Sequence, residues 1–373
     1  MKRNSFNNVT VCRSALRKNF KTMQDKMGQG GKLMAMVKAD AYGHGAVEVA
    51  KALQDVACSS FGVAEIREAV LLRDAGITGD IFVMLGFDLD AVGLMFDYRL
   101  TPVVHCYEDI VALSVEGVKR GYEIGCHIKV DTGMRRLGFE PEQVLGVAHN
   151  ISRLSGVFVA GMLSHFPEAD VVNSPSSRDG IRRFASLDVV LKSEFSTVCH
   201  LANSGGVLNF PESLFDMGRS GISIYGYHPA GAIEGGGTSP FIPAMSFRSR
   251  ILQVKKVAAG TGVSYGHSYI TKRPTLLAVL PTGYEDGYRR SLSNKAEVLI
   301  RGQRAPVRGQ ICMNACVVDV TDIENVTAGD EVVLLGEQGN ERITADDIAE
   351  WADTISYEIL CMLGHTNNRL YVD

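Results

Sequence analysis

A lysine at the end of an apolar run is the first residue of this sequence whose surroundings suggest chemistry. Residues 33–37 are typical of a buried strand, and Lys38 follows them in the stretch Val37-Lys38-Ala39-Asp40-Ala41-Tyr42-Gly43-His44. A lysine at such a point faces a partly desolvated site and loses its proton more easily than a surface lysine. Although most lysines near strand ends are solvated, this property is what a Schiff-base lysine requires.

A second lysine lies inside another apolar run. Lys129 stands in His127-Ile128-Lys129-Val130-Asp131-Thr132-Gly133, and Arg135 and Arg136 follow. An interior lysine is costly in a strand unless it is paired or chemically modified. The simpler interpretation is that Lys129 faces Asp131 or another carboxylate.

Three further groups could do chemistry. His165 ends the run Leu163-Ser164, where a lone histidine is more often a hydrogen-bonded core group. The turn Asn203-Ser204-Gly205-Gly206 offers backbone N–H groups to an anion, although Ser204 could equally cap the helix that follows. Tyr265 stands in residues 262–268, and its ordinary interpretation is a buried strand tyrosine.

The elements that must position these residues alternate between strand and helix. Eight apolar runs predict strands, and stretches such as 46–53 and 65–73 between them have helical spacing. This alternation favours parallel βαβ units, and eight units predict an α/β fold, a TIM (β/α)8 barrel with its active site at the C-terminal strand ends. The predicted strands are 33–37, 61–64, 81–85, 100–105, 126–130, 157–164, 197–201 and 221–225.

The sequence changes character after the eighth run. Residues 228–243 are rich in glycine and proline and predict a linker that includes Gly231, Gly235, Gly236 and Gly237. Beyond it, strand-like runs at 250–257, 275–280, 296–300, 315–320 and 331–335 predict a mostly β domain that ends in one helix over 345–354. The predicted domains are 10–235 and 240–373, and residues 1–9 could join the second.

The bulk composition excludes several classes of protein. The 373 residues are 46% hydrophobic and 21% charged with a net charge of −4, which gives no sign of nucleic-acid or membrane binding. Residues 1–14 lack an apolar signal-peptide core, and no run approaches the roughly 18 apolar residues of a membrane span. The eight cysteines are scattered, and the spacing of Cys312 and Cys316 is weak evidence for a metal. We therefore expect a cytoplasmic protein without a metal.

Taken together, these motifs resemble those of alanine racemases, which are pyridoxal-phosphate enzymes of fold type III. The resemblance covers nearly the whole chain and implies that Lys38 binds the cofactor. In this family the lysine at Lys129 is often carbamylated, which reverses its charge and could orient Arg136. Arg136 is then expected to contact the phenolic oxygen of the cofactor and the substrate. Further cofactor contacts implied by the resemblance are Tyr42, His165 near the ring, and Asn203, Ser204, Gly221, Ile222 and Tyr357 at the phosphate.

Arg219, in Asp216-Met217-Gly218-Arg219-Ser220, matches the family arginine that faces the pyridine nitrogen. Many pyridoxal enzymes place an acid there, which keeps the nitrogen protonated and makes the ring a strong electron sink. An arginine is always charged, can only donate a hydrogen bond and disfavours that proton. The resemblance therefore implies chemistry that favours reprotonation at Cα over transamination.

Racemisation requires acid–base groups on opposite faces of Cα. By resemblance, Lys38 serves one face and Tyr265, donated by a partner subunit, serves the other, so a homodimer with shared active sites is expected. A phenol titrates at about 10, so Tyr265 would need cationic neighbours to act as a base near neutral pH. Tyr284 is expected to narrow the substrate channel, and the Met313 backbone N–H is expected to bind the substrate carboxylate.

Some positions depart from the family pattern. Asn314 stands where aspartate is usual, and Gly364 and His365 replace the serine and tyrosine often found in the tail. These changes could alter the substrate channel or the side-chain pocket.

The expected activity is interconversion of L- and D-alanine, with D-alanine supplied for peptidoglycan. One alternative is a broader racemase acting on serine or on basic side chains. A decarboxylase of the same architecture is a second alternative, which Arg219 argues against and Cys312 keeps open. A non-catalytic pyridoxal-phosphate carrier is the third, and it would not need Tyr265.

Overall fold

The computed structural model of the chain describes residues 5–231 and 239–373, so the predicted linker glycines Gly235, Gly236 and Gly237 lie outside the described residues. The chain divides into two compact units. The barrel unit comprises Leu16–Ala41 and Ala46–Ile242, and the β unit comprises the chain up to Ala15 together with Tyr42–Gly45 and Pro243–Asp373. The domain bounds 10–235 and 240–373 stay a prediction.

Eight parallel strands form the sheet of the barrel unit, in the spatial order seven, six, five, four, three, two, one, eight. The seventh and eighth strands are joined by backbone hydrogen bonds from Asp216 to Cys199 and from Arg219 to Ala202, at 3.1 and 2.9 Å. The predicted TIM-type barrel is confirmed. The strands in chain order are Lys32–Met36, Ser60–Val63, Asp80–Val83, Thr101–Val104, Ile124–Lys129, Val157–Leu163, Val198–His200 and Met217–Ser220.

The eighth strand lies at Met217–Ser220, so the strand predicted at 221–225 is wrong. Ile222–Tyr225 forms a 3₁₀ turn instead, and the Tyr225 hydroxyl donates to the Met36 carbonyl at 2.7 Å. The charge of Arg219 concealed the strand in the sequence pattern. Its side chain is only 3% exposed, because barrel groups rather than water accept its hydrogen bonds.

Right-handed helices alternate with these strands and bury one face. Ala46–Gln54, for example, buries Val49, Ala50 and Leu53, which are spaced as the inner face of a helix. In the part of the chain that the structure describes, no helix has the length and apolar character needed to cross a membrane. These helices are Arg13–Lys26, Ala46–Gln54, Ile66–Asp74, Val92–Asp97, Tyr107–Arg120, Val144–Ser152, Pro175–Glu194 and Ser204–Asn209.

Four consecutive residues after Lys38 have left-handed backbone conformations. Residues 39–42 have φ angles of 50–55°, which cost non-glycine residues roughly 1–2 kcal/mol each. The Glu68 carboxylate accepts a hydrogen bond from the first amide of this turn at 2.6 Å. The Asp40 carboxylate accepts another from the Ala46 amide at 2.7 Å. The backbone beside Lys38 is therefore held in place by its neighbours.

Within the residues that the structure describes, the β unit contains three sheets of seven, three and two strands. Asn8–Cys12 pairs antiparallel with Met245–Arg250 and parallel with Arg369–Val372, so both ends of the chain enter one sheet. The predicted mostly β C-terminal region is confirmed. The large sheet also contains Glu297–Ile300, Gln303–Pro306, Glu331–Gln338 and Glu341–Ile343; the others contain Gln253–Val257, Thr275–Leu280 and Cys316–Asp319, and Gly262–Val263 and Tyr269–Ile270.

The helix predicted over 345–354 is present as Ala345–Ala352, but the prediction of one helix is wrong, because a second helix follows in the described part of the β unit. Ala345–Ala352 is capped by Thr344, whose hydroxyl accepts from the Asp347 amide at 3.1 Å. Asp353 has a φ of 57° and ends that helix. The second helix, Ser356–Thr366, places Tyr357 in its first turn.

Candidate active site

Predicted site residues from four barrel strands meet at the C-terminal ends of those strands. Lys38 follows the first strand, Lys129 ends the fifth, His165 follows the sixth and Arg219 lies in the eighth. The pKa of His165 is held well below its usual value by burial, and further by the positive charges of Arg219, Lys129, Arg136 and Lys38. The structure therefore brings these five residues into one electropositive cluster, which we call the rim cluster.

Arg219 is the most firmly held member of the rim cluster. Its Nη1 donates to the His200 carbonyl at 2.8 Å and lies 2.9 Å from His200 Nδ1. Its Nη2 donates to the carbonyls of Ser164 and Leu201 at 2.6 and 2.9 Å and lies 3.3 Å from His165 Nδ1. Burial lowers the pKa of Arg219 to about 9, so the guanidinium keeps its charge at neutral pH.

Two buried histidines extend this contact into the barrel. A guanidinium only donates, so His200 must accept at Nδ1 and carry its proton on Nε2. That nitrogen lies 3.1 Å from Nδ1 of His127, which accepts its hydrogen bond. Burial lowers the pKa of His127 to about 3, and burial with the Arg219 charge depresses that of His200 well below its usual value. Our sequence reasoning missed this hydrogen-bonded chain of Arg219, His200 and His127, which we call the histidine relay. The feature that could have predicted it was a histidine inside a predicted buried strand.

Lys129 is buried but does not form the ion pair that the simpler interpretation expected. Within residues 5–231 and 239–373 no ion pair joins it to Asp131, whose carboxylate accepts from the amides of Gly133, Arg135 and Arg136 at 2.8, 3.1 and 3.2 Å. Burial first, and then the charges of Arg219 and Arg136, lower the pKa of Lys129 to about 7. A substantial fraction of this amine is therefore uncharged near neutral pH.

The arginines after Asp131 differ in their surroundings. Arg135 forms an exposed ion pair with Glu140 at 2.8 Å, which is a local structural contact. Arg136 is exposed and has no ion-pair partner among the residues that the structure describes. It is therefore available to an anion from outside its own loop.

Two neighbouring turns of the barrel unit carry the residues expected at a phosphate. Asn203, rather than Ser204, caps the helix Ser204–Asn209, because Asn203 Oδ1 accepts from the Gly206 amide at 2.9 Å. The Ser204 hydroxyl instead accepts from the Gly221 amide at 2.8 Å. Ser204 thus joins the turn after the seventh strand to the turn after the eighth.

These two turns have donors that their own helices do not use. The first N–H groups of a helical segment have no acceptor within the helix. Here these groups are the amides of Ser204 and Gly205 in one turn and of Ile222 in the other. The Ser223 hydroxyl is fully buried and has no hydrogen-bond partner among the described residues. A buried hydroxyl beside free helix-start amides suits an anion.

In the β unit, Tyr42 and Tyr357 lie together, with ring centroids 6.0 Å apart. Burial, followed by the nearby Tyr357 and Cys361, raises the pKa of Tyr42 far above its usual value. Tyr42 is therefore a neutral phenol at every physiological pH and can act as a hydrogen-bond donor.

Gly364, one of the departures from the family pattern, has a steric explanation. A Cβ there would overlap the carbonyl of Gly43, and a Cβ on Gly43 would overlap the carbonyl of Leu360. The helix Ser356–Thr366 thus contacts the segment Tyr42–Gly45 so closely that both positions require glycine.

The expected second acid–base residue and the substrate-side residues are exposed in this chain. Tyr265 is 70% exposed, Met313 55% and Tyr284 40%. Tyr265 lies on a 3₁₀ turn, so its interpretation as a buried strand tyrosine is wrong. The Tyr284 amide donates to the Cys312 carbonyl at 3.1 Å, which joins the segments of Tyr284 and Met313.

Asn314 has a partner that our sequence reasoning missed. Its amide donates to the carboxylate of Glu285, and the Glu285 amide donates to the Met313 carbonyl at 3.0 Å. An aspartate at this position would instead face a like charge. The exchange of aspartate for asparagine is therefore matched to Glu285.

Comparisons with known proteins agree on one family. The family described as "Alanine racemase, N-terminal domain" matches residues 11–229, and "Alanine racemase, C-terminal domain" matches 244–371. An alanine racemase of Thermodesulfovibrio yellowstonii is 42% identical over 342 residues, covering 91% of this chain and 90% of that protein.

Solved structures show the same likeness. An alanine racemase of Streptomyces lavendulae superposes with a TM-score of 0.92 at 33% identity, covering 98% of this chain and 97% of the other. One from Bartonella henselae, with covalently bound pyridoxal phosphate, has a TM-score of 0.89 at 29% identity and covers 99% and 100%.

Proposed function

We propose that this chain, which belongs to the alanine racemase family, interconverts L- and D-alanine with pyridoxal phosphate as its cofactor. The observation that carries the proposal is the rim cluster. It gathers four cationic side chains around the neutral His165, and Asp131 is already occupied by backbone amides. Two of these cations, Arg219 and Lys129, are buried, and buried cations need an anionic partner, which a phosphate ester with a phenolic oxygen provides.

The residues present fit this cofactor. Lys38 would hold its carbonyl carbon, and the turns of Ser204 and Ile222, with the unpartnered Ser223 hydroxyl, would hold its phosphate. Asn203 would act there by capping the helix, Gly221 by its place in the second turn, and Tyr42 and Tyr357 would add phenolic donors. When bound, pyridoxal phosphate supplies an electron sink for negative charge at Cα.

Arg219 would limit that electron sink. Its guanidinium is charged, is held by three carbonyls and can only donate, so it would disfavour a proton on the ring nitrogen of the cofactor. Less withdrawal of charge into the ring favours returning a proton to Cα. This chemistry supports racemisation over transamination or decarboxylation.

Lys38 and Tyr265 would move the proton at opposite faces of Cα. Each would act as a base in one direction and as an acid in the other, while the Met313 N–H and Arg136 hold the substrate carboxylate and Tyr284 narrows the channel. A phenol needs cationic neighbours to act as a base near neutral pH, and Tyr265, at 70% exposure, has few neighbours within its own chain. A partner subunit that covers Tyr265, Met313 and Tyr284 would supply these cationic groups, so we propose a homodimer with shared active sites.

We also propose that Lys129 is carbamylated. Carbon dioxide reacts only with the uncharged amine, which is well populated because the pKa of Lys129 is lowered to about 7. The resulting carbamate would turn one of the cluster's cations into an anion and would orient Arg136.

The physiological setting that we propose is the cytoplasm, where D-alanine would be made for peptidoglycan. All eight cysteines are free thiols, as expected in a reducing compartment.

One observation favours a second candidate, a racemase with broader specificity. The exposed Glu285 carboxylate, held by Asn314, lies next to Met313 and could attract a basic substrate side chain. The change of one pocket contact is worth only about 1–3 kcal/mol, so specificity shifts easily.

The test is incubation of the holoenzyme with pyridoxal phosphate and a panel of L-amino acids in deuterated water, followed by chiral analysis and loss of the α-proton signal. Inversion confined to alanine supports the main proposal. Inversion of serine, lysine or arginine as well would support the second candidate, and no inversion of any amino acid would refute both.

A further inference from the structure

We propose that Ser264 is a positioning residue for Tyr265, acting through a hydrogen bond to the Gln310 carbonyl. The proposal rests on the proposed function, in which Tyr265 is one of two acid–base groups. It assigns Ser264 a part in the proton transfer on one face of the substrate only.

The first observation is the backbone of Ser264. Its φ is 60° and its ψ is −168°, a conformation that is essentially restricted to glycine. Strain of this kind persists only where the surroundings hold it, and it gathers at functional positions. The next residue is Tyr265. The strained backbone conformation of Ser264 therefore sets the direction in which the turn that carries Tyr265 leaves the strand Gly262–Val263.

The second observation is what holds Ser264. Its hydroxyl donates to the Gln310 carbonyl at 2.5 Å and lies 3.6 Å from the Cys312 sulfur. Gly309 has a φ of 78°, and a Cβ there would lie 2.6 Å from the Val263 carbonyl oxygen. The segment 309–312 therefore lies directly against residues 263–264, and the Ser264 hydroxyl fixes their register.

This register links the two tasks of the β unit. Gln310 and Cys312 lead directly to Met313, whose N–H is proposed to bind the substrate carboxylate. The Cys312 and Met313 carbonyls are in turn held by the amides of Tyr284 and Glu285. One serine hydroxyl thus ties the phenol that serves Cα to the segment that holds the carboxylate next to Cα.

A test must separate positioning from a general effect on folding. The equilibrium constant of racemisation is one, so the efficiencies of inversion in the two directions fall together in any variant. Exchange of the α-proton with deuterated water before inversion has no such constraint. Exchange that starts from one enantiomer reports proton transfer by Lys38, and exchange that starts from the other reports proton transfer by Tyr265. The variant Tyr265→Ala identifies the enantiomer whose α-proton Tyr265 removes.

The key variant is Ser264→Gly in the holoenzyme. Glycine adopts this φ without strain, so the variant keeps the backbone while removing the hydroxyl. We expect exchange of the Tyr265 enantiomer to fall about 10- to 100-fold, as for a catalytic group displaced by about 1 Å, and exchange of the Lys38 enantiomer to change little. Ser264→Ala, which keeps the strain and lacks the hydroxyl, should show the same asymmetry with a lower melting temperature.

Ser291→Ala is the control, because Ser291 is an exposed serine of the same β unit. It should leave both exchange rates unchanged. Equal losses for both enantiomers in Ser264→Gly, or no loss, would overturn the role of Ser264. A wild-type enzyme that fails to invert alanine would refute the proposed function instead, so the two failures are distinguishable.

Discussion

Nη1 of Arg219 and Nδ1 of His200 lie 2.9 Å apart inside the barrel, and this contact organises the polar interior. Because the guanidinium cannot accept, it fixes the tautomer of His200 and, through it, the proton shared with His127. Each of these groups is buried, so the loss of one donor leaves several acceptors unsatisfied.

Arg219→Met should therefore lower the free energy of unfolding by about 2–4 kcal/mol. The destabilisation from buried carbonyl and imidazole acceptors without a donor exceeds the stabilisation from removing one of several neighbouring positive charges. Denaturant unfolding of the cofactor-free protein measures this. Arg135→Met, which removes only an exposed pair with Glu140, is the control and should change stability little. An equal loss of stability in the two variants would contradict the role of Arg219 in the histidine relay.

Lys38→Ala should abolish the visible absorbance band of lysine-bound pyridoxal phosphate and all inversion of alanine. Lys32→Ala is the control, since Lys32 is exposed at the start of the same strand. A spectrophotometric titration with the cofactor distinguishes the two. Retention of the band in Lys38→Ala would remove Lys38 from its role.

The uncarbamylated form of Lys129 should make stability depend on pH. Its folded-state pKa is about 7 and its unfolded value is about 10.4, so between these values the unfolded state binds more protons. Stability of carbon-dioxide-free, cofactor-free protein should therefore rise from pH 7 to 10. Lys129→Met should lack that part of the rise, and parallel pH profiles of unfolding would contradict the lowered pKa. Intact mass after bicarbonate treatment tests carbamylation separately.

Asn314→Asp should raise the KM for alanine because two carboxylates would then face each other beside Met313. Adding Glu285→Gln should restore the wild-type KM, since glutamine can donate to the introduced carboxylate as Asn314 now donates to Glu285. Failure of the double variant to recover would show that the pair does not hold this segment.

Elements with regular patterns were predictable from the sequence, whereas elements fixed by single tertiary contacts were not. The first seven barrel strands follow from their apolar runs. The eighth strand could not be predicted in this way, because an arginine is typical of the surface. Only the structure shows the three buried carbonyls that accept hydrogen bonds from Arg219. The predicted helix ended at residue 354, so the sequence analysis did not include the second C-terminal helix, Ser356–Thr366.

The site shows the same division. Lys38, Lys129 and His165 could be placed on one rim, because a parallel barrel aligns its strand ends, whereas Arg219 was assigned to the site by the family resemblance alone. Residues that support the site by holding other side chains or loops could not be identified in this way. Ser264, Glu285 and His127 derive their roles from contacts with residues at least 29 positions away in the chain.

Subunit complementation tests the central claim most directly. Lys38→Ala and Tyr265→Ala are each expected to be inactive in alanine inversion, and they can be mixed, dissociated and reassociated. If each site takes Lys38 from one chain and Tyr265 from its partner, half of the randomly formed dimers contain one intact site, and about one quarter of wild-type activity should return. No activity in mixed dimers of verified composition would contradict a site shared between two chains.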